Sequence, residues 1–184
     1  MHATTAPPEI RDRILESAVH VLRSEGVQRF TQTRVAARAK VRQSHVTYYF
    51  PTRQELLEAT AERVLDGVTA HIAEAAQTVP GWGTGPLLDT LTRAMVGTEH
   101  MRMFLAMVVE SDRDPAVRAL IIHGTARVHA AITAALGGGD ANARKARAIQ
   151  TAIWGLGLYT FTLRPSPDVD PTDDALNYLE EFAR

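Results

Sequence analysis

Residues 31–53, reading TQTRVAARAKVRQSHVTYYFPTR, hold five positive charges, Arg34, Arg38, Lys40, Arg42 and Arg53, and no acid lies between Glu25 and Glu55. A surface that excludes acids while keeping arginines and tyrosines suits a polyanion, because each neutralised phosphate releases counterions whatever the sequence.

The apolar positions in the same stretch predict two short helices joined by a tight turn. Thr31 caps the first, residues 32–39, whose Val35 and Ala36 point inward; Lys40 makes the turn, and the second runs from about residue 43 to 49. Small Ala36 allows the two helices to cross closely, and Val41 and Val46 fill the corner, the spacing of a helix-turn-helix. Outward on the second helix stand Gln43, Ser44, His45 and Thr47. These are short or amide-bearing groups of the kind that fit base edges in a major groove.

From about Ile10 to Leu57 the chain resembles the DNA-binding region of the TetR family of bacterial transcriptional regulators. The likeness rests on Thr31, Val35-Ala36, Ala39-x-Val41, Tyr48-Tyr49-Phe50 and Thr52-Arg53-x-Glu55-Leu56. It implies that Gln43, Ser44, His45 and Thr47 face bases while Thr33, Tyr48, Tyr49 and Arg53 hold phosphates. Arg42 suits either task, since a guanidinium forks onto guanine or onto phosphate. Three departures bear on the recognised DNA more than on the fold: Lys40 replaces the usual turn glycine, Arg42 the usual capping serine, and Thr47 a common tyrosine.

The resemblance further implies an all-α fold of about nine helices. Residues 1–51 form a three-helix DNA-binding domain, and residues 52–184 a helical domain for ligand binding and dimerisation. Such a regulator binds a palindromic operator as a homodimer, acts by family habit as a repressor, and is released by a small-molecule effector.

Charge is distributed accordingly. The net charge is −1, yet residues 1–63 hold ten Lys and Arg against seven Asp and Glu, so the remainder is acidic. Cysteine is absent, which excludes disulfides, thiolate metal sites and a cysteine nucleophile. No apolar secretory core or membrane-length run appears, and the chain reads as soluble and cytoplasmic.

Taken in order, Pro7-Pro8 suits the first turn of a helix that turns Ile10, Ile14, Leu15, Ala18, Val19 and Leu22 to one side and ends at Gly26. Thr52 and Glu55 make a capping box opening a long helix to about Gln77, with Leu56, Leu57, Thr60, Val64, Leu65, Val68 and Ile72 on one face. In the family resemblance this helix is the lever between the two domains. Residues 80–86 read as a loop, 87–97 as a helix, and 100–111 as a helix apolar nearly all round and therefore central. Asp114-Pro115 starts another helix, which runs to Gly137-Gly138-Gly139; a further one spans 142–163, and a last acidic one occupies 171–184. Family likeness points to these last two helices as the dimer contact.

Met103, Phe104 and Met107, with Trp154 and Phe161 on a later helix, suit a ligand pocket, although methionines fill ordinary cores equally well. His100, His123, Glu110 and Asp112 would add polarity to such a pocket and equally suit a surface. Gly155 and Gly157 inside a helical pattern fit close approach by another helix or by a ligand. No cofactor or metal is expected. A di-iron bundle needs Glu-x-x-His on two helices plus further glutamates, and His71-x-x-Glu74 runs in the reverse order; Gly137-Gly138-Gly139 lacks the following Lys-Ser or Lys-Thr of a phosphate loop, and no nucleophile turn is present. An enzyme is therefore disfavoured, and the remaining alternative is a protein that coats DNA without reading sequence.

Overall fold

The computed structural model describes residues 8–79, 83–95 and 98–163. It contains eight α-helices: α1 (Pro8–Glu25), α2 (Gln32–Ala39), α3 (Gln43–Tyr49), α4 (Arg53–Thr78), α5 (Thr84–Met95), α6 (Thr98–Ser111), α7 (Pro115–Ala135) and α8 (Gly139–Leu163), with one 3-10 turn at Val27–Arg29. No strand occurs among the described residues, in keeping with the all-α expectation. The acidic helix expected at 171–184 lies outside them.

Local chemistry sets the helix ends. Thr31 Oγ1 accepts from the Arg34 amide and Thr52 Oγ1 from the Glu55 amide, so both expected caps form. Thr52 also donates to the Glu55 carboxylate, completing the capping box side chain to side chain. Asp114 caps α7, whose first residue is proline. Between α7 and α8 three successive glycines adopt positive φ, a path that side chains with a Cβ resist, and Asn142 donates across it to the Leu136 and Gly138 carbonyls. Two boundaries differ from expectation. α5 begins at Thr84, inside the stretch read as loop, because Pro86 is tolerated in a first turn where its missing N–H costs little. α8 begins at Gly139, three residues early.

Two apolar clusters form the core. The first joins Ile14, Leu15, Ala18, Val21 and Leu22 of α1 with Phe30, Val35, Ala36, Val46, Phe50, Leu56 and Leu57, and it extends to Met103, Met107 and Val117. Through α1 and the 3-10 turn the first three helices are thus seated on α6. The second gathers Ile72, Leu87, Leu88, Leu91, Val128, Ile132, Ala146, Ile149 and Ile153. Three details differ from the periodicity reading. Val21 rather than Val19 is the buried valine of α1. α6 is not enclosed on every side, since Val108 and Val109 are exposed. Val64, Leu65 and Val68 of α4 are only half-buried, because they border a cavity.

Candidate nucleic-acid interface and effector cavity

The α2–α3 corner is built from small and β-branched residues: Val35 and Val46 are fully buried, with Ala36 and Ala39 nearly so. Lys40 sits at φ 53°, ψ 44°, the left-handed region, while its amide donates to Ala37 and the Val41 amide to Ala36. This is a Schellman turn, and a lysine in it carries strain of about 1 kcal/mol that glycine avoids. Arg42 occupies the α3 cap position without any side-chain cap bond, which leaves its guanidinium to solvent.

The corner turns a defined set outward. Arg42, Gln43, Ser44 and His45 are all exposed at the start of α3. Thr47 is half-buried and donates back to the Gln43 and Ser44 carbonyls, so only its acceptor lone pairs and methyl remain for a partner. Thr33, exposed on α2, donates to the Gln43 side-chain carbonyl at 3.2 Å and so orients that amide. Tyr48 is 77% exposed and meets Tyr49 edge to face at 5.1 Å between ring centres.

Arg53 is placed differently from the other cations of the stretch. Its Nε donates to the Phe30 carbonyl at 2.8 Å and its Nη2 to the Val27 carbonyl at 2.7 Å. Two of its donors therefore hold the 3-10 turn against the start of α4. Gln32 Nε2 adds a bond to the Phe50 carbonyl at 2.6 Å, Arg34 pairs with Glu25, and the Arg11 guanidinium lies over the Phe50 ring. Short helices of seven and eight residues cannot hold themselves in water, so these cross-links and the shared core do it.

Further along α4 a mostly apolar cavity of about 100 Å³ opens between α1, α4, α6, α7 and α8. Met103, Phe104, Met107 and Trp154 line it together, and the Phe104 and Trp154 rings lie 5.0 Å apart. Phe161, two turns beyond Trp154 on α8, is not part of this wall. Of the four polar candidates only His100 lines it; His123 faces Glu62 at 3.2 Å, Asp112 faces Arg118, and Glu110 stands apart from the cavity. His100 is held below the usual imidazole range, first by burial and then by the nearby Arg23 guanidinium.

Sequence periodicity missed several wall residues, notably Leu22, Ala61, Gly124 and Thr125. Gly124 carried a signal: a glycine inside an apolar helix needs a reason, and here a Cβ would come within 3.2 Å of Leu65 on α4. The same α4–α7 seam holds Arg127, which pairs with Glu62 and with Asp66.

Residues 14–60 match the family described as bacterial regulatory proteins, tetR family. No match was found among curated proteins. Several solved structures share the fold. The multidrug binding protein EbrR, solved with imidazole, is 24% identical with 95% of both chains covered and a TM-score of 0.66. A TetR-family member from Streptomyces coelicolor A3 is also 24% identical, covering 95% of this chain and 98% of that one at a TM-score of 0.71. The reduced form of E. coli NemR is 17% identical, covering 94% and 96% at a TM-score of 0.73. No described helix is long and apolar enough to cross a membrane. Residues 14–60 thus match the tetR family of bacterial regulatory proteins, and the chain as a whole has the fold of solved TetR-family members.

Proposed function

We propose that the protein is a sequence-specific DNA-binding transcriptional regulator, a repressor, which binds a palindromic operator as a dimer and releases it when a small molecule occupies the cavity. The observation that carries this reading is the exposed, acid-free start of α3, where Arg42, Gln43, Ser44 and His45 stand together on a cross-linked frame. On it, Gln43, Ser44, His45 and the Thr47 methyl meet base edges, while Thr33, Tyr48 and Tyr49 meet phosphates. Arg53 uses two of its five N–H donors internally, which leaves Nη1 and the second Nη2 hydrogen for phosphate.

Residues 1–51 act as the reading head and residues 52–184 as the effector and dimer domain, with α4 as the lever between them. Support for a dimer comes from α8. From residue 148 to 162 it carries no charge, and Ala148, Thr151, Gly155, Leu158, Tyr159 and Thr162 are exposed. A Cβ at Gly155 would meet nothing within 4 Å in the single chain, so this side is open to a second copy. Two short recognition helices related by a twofold axis read two half-sites at a spacing the dimer sets. That EbrR is a multidrug binding protein supports reading the cavity as an effector site.

The test is retention of genomic fragments at near-physiological salt. Fragments sharing one site with twofold symmetry are expected. Retention of all fragments alike would overturn sequence-specific reading in favour of coating.

A further inference from the structure

The cavity does not stand alone. Val64 and Val68 of α4 form a thin partition: they line the apolar cavity on one side and, on the other, a polar groove walled by Glu16, Val19, Arg23, Arg63, Gly67, His71 and Arg93. The groove is basic. Glu16 is its one carboxylate among the described residues, and Arg93 is already held by Asp89 at 2.7 Å. Among the described residues, the cavity wall has no carboxylate.

Arg23 lines the groove and not the cavity wall, but its charge acts on His100, which does line the cavity. Arg23 follows Leu22, a cavity residue, and its Nε is buried without a hydrogen-bond partner. A buried donor left unmade is costly, and on a cation it calls for an anionic acceptor. The apolar wall, the absence of acid and this orphaned donor fit one kind of molecule.

We infer that the effector is a small hydrophobic carboxylic acid, its apolar part in the cavity against the Phe104 and Trp154 rings and its carboxylate received by Arg23. The assignment rests on the proposed effector role of the cavity and names its ligand class. A cavity of about 100 Å³ is smaller than the dry apolar cavity of roughly 150 Å³ that takes benzene, so the apolar part is at most one ring or a short acyl chain. A cationic ligand finds no carboxylate among the described residues of the cavity wall. The placement also gives the ligand leverage. Arg23 belongs to α1, which packs in the same cluster as α2 and α3, while Phe104 and Trp154 belong to α6 and α8. A molecule held at both ends therefore ties the reading head to the effector domain, the differential contact a ligand needs to shift a conformational equilibrium.

Calorimetric titration of the full chain with benzoate, benzamide and benzylamine, three probes of one shape and different charge, tests this without DNA. Its outcome is thus separate from whether the protein reads an operator. Benzoate is expected to bind about tenfold more tightly than benzamide, the ratio one charge-assisted hydrogen bond supplies, with benzylamine weakest. Arg23→Gln should bring benzoate down to benzamide, whereas Arg63→Gln, at the exposed edge of the groove, should preserve the preference. Benzylamine binding as well as benzoate, a benzoate preference surviving Arg23→Gln, or no saturable heat from any probe would each overturn the assignment. The ranking on the unaltered protein decides the matter even if Arg23→Gln fails to fold.

Discussion

The reading head and the effector region are both helical, yet they are held together in opposite ways. In the head, short helices are pinned at nearly every corner: a capped start at Thr31, a Schellman turn at Lys40, Arg53 bonded to two carbonyls, and Phe30 and Val46 fully buried. Around the cavity, long helices pack through half-buried Val64, Leu65, Phe104 and Trp154, which leave space between them. The contrast fits the proposed division of labour. A surface that reads bases needs fixed side-chain positions, whereas a region that takes a ligand needs volume not already filled.

The sharpest way to break that contrast is to truncate one phenylalanine on each side. Phe30→Ala should destabilise the protein by about 3–5 kcal/mol, the usual cost of emptying a packed site. Phe104→Ala should cost less than half as much in the same denaturant titration, because its ring already borders space. Equal losses would mean that the cavity is as tightly packed as the head.

Arg53→Gln comes next. Two charge-assisted bonds to the Val27 and Phe30 carbonyls disappear, so a stability loss of about 2 kcal/mol is expected. Weakened DNA binding with unchanged stability would instead assign Arg53 to phosphate. Lys40→Gly should act in the opposite direction and stabilise by about 1 kcal/mol by relieving the left-handed turn, without altering which sequence is bound.

The smallest effect is a pH slope. His100 has a folded pKa below its ordinary 6.5, so as pH falls the unfolded chain takes up that proton first. Its contribution to stability is complete above 6.5 and is lost as pH drops through the folded value. Thermal unfolding followed between about pH 7.5 and pH 5 should show this loss, and His100→Gln should make the slope shallower.

The head was legible in the sequence because its signals are local. Thr31, Lys40, Thr52 and the alternation of buried alanine and valine each act within one or two turns, and α2 and α3 lie where those residues place them. The cavity was only half legible. Met103, Phe104, Met107 and Trp154 have apolar character that suits a pocket, but which side of a long helix borders empty space depends on how five helices meet. Periodicity cannot distinguish a half-buried Val64 from a buried one, and it gave no sign that Arg53 would turn inward or that the Arg23 Nε would be buried without a hydrogen-bond partner.

Selecting bound sequences from random duplex DNA, with the unaltered protein and Gln43→Ala side by side, tests the central claim most directly. The account predicts an enriched palindrome for the first and, for the second, a palindrome of the same spacing whose preference is relaxed within each half-site. No enriched sequence, or the same sequence from both proteins, would contradict the assignment of α3 as the element that reads DNA.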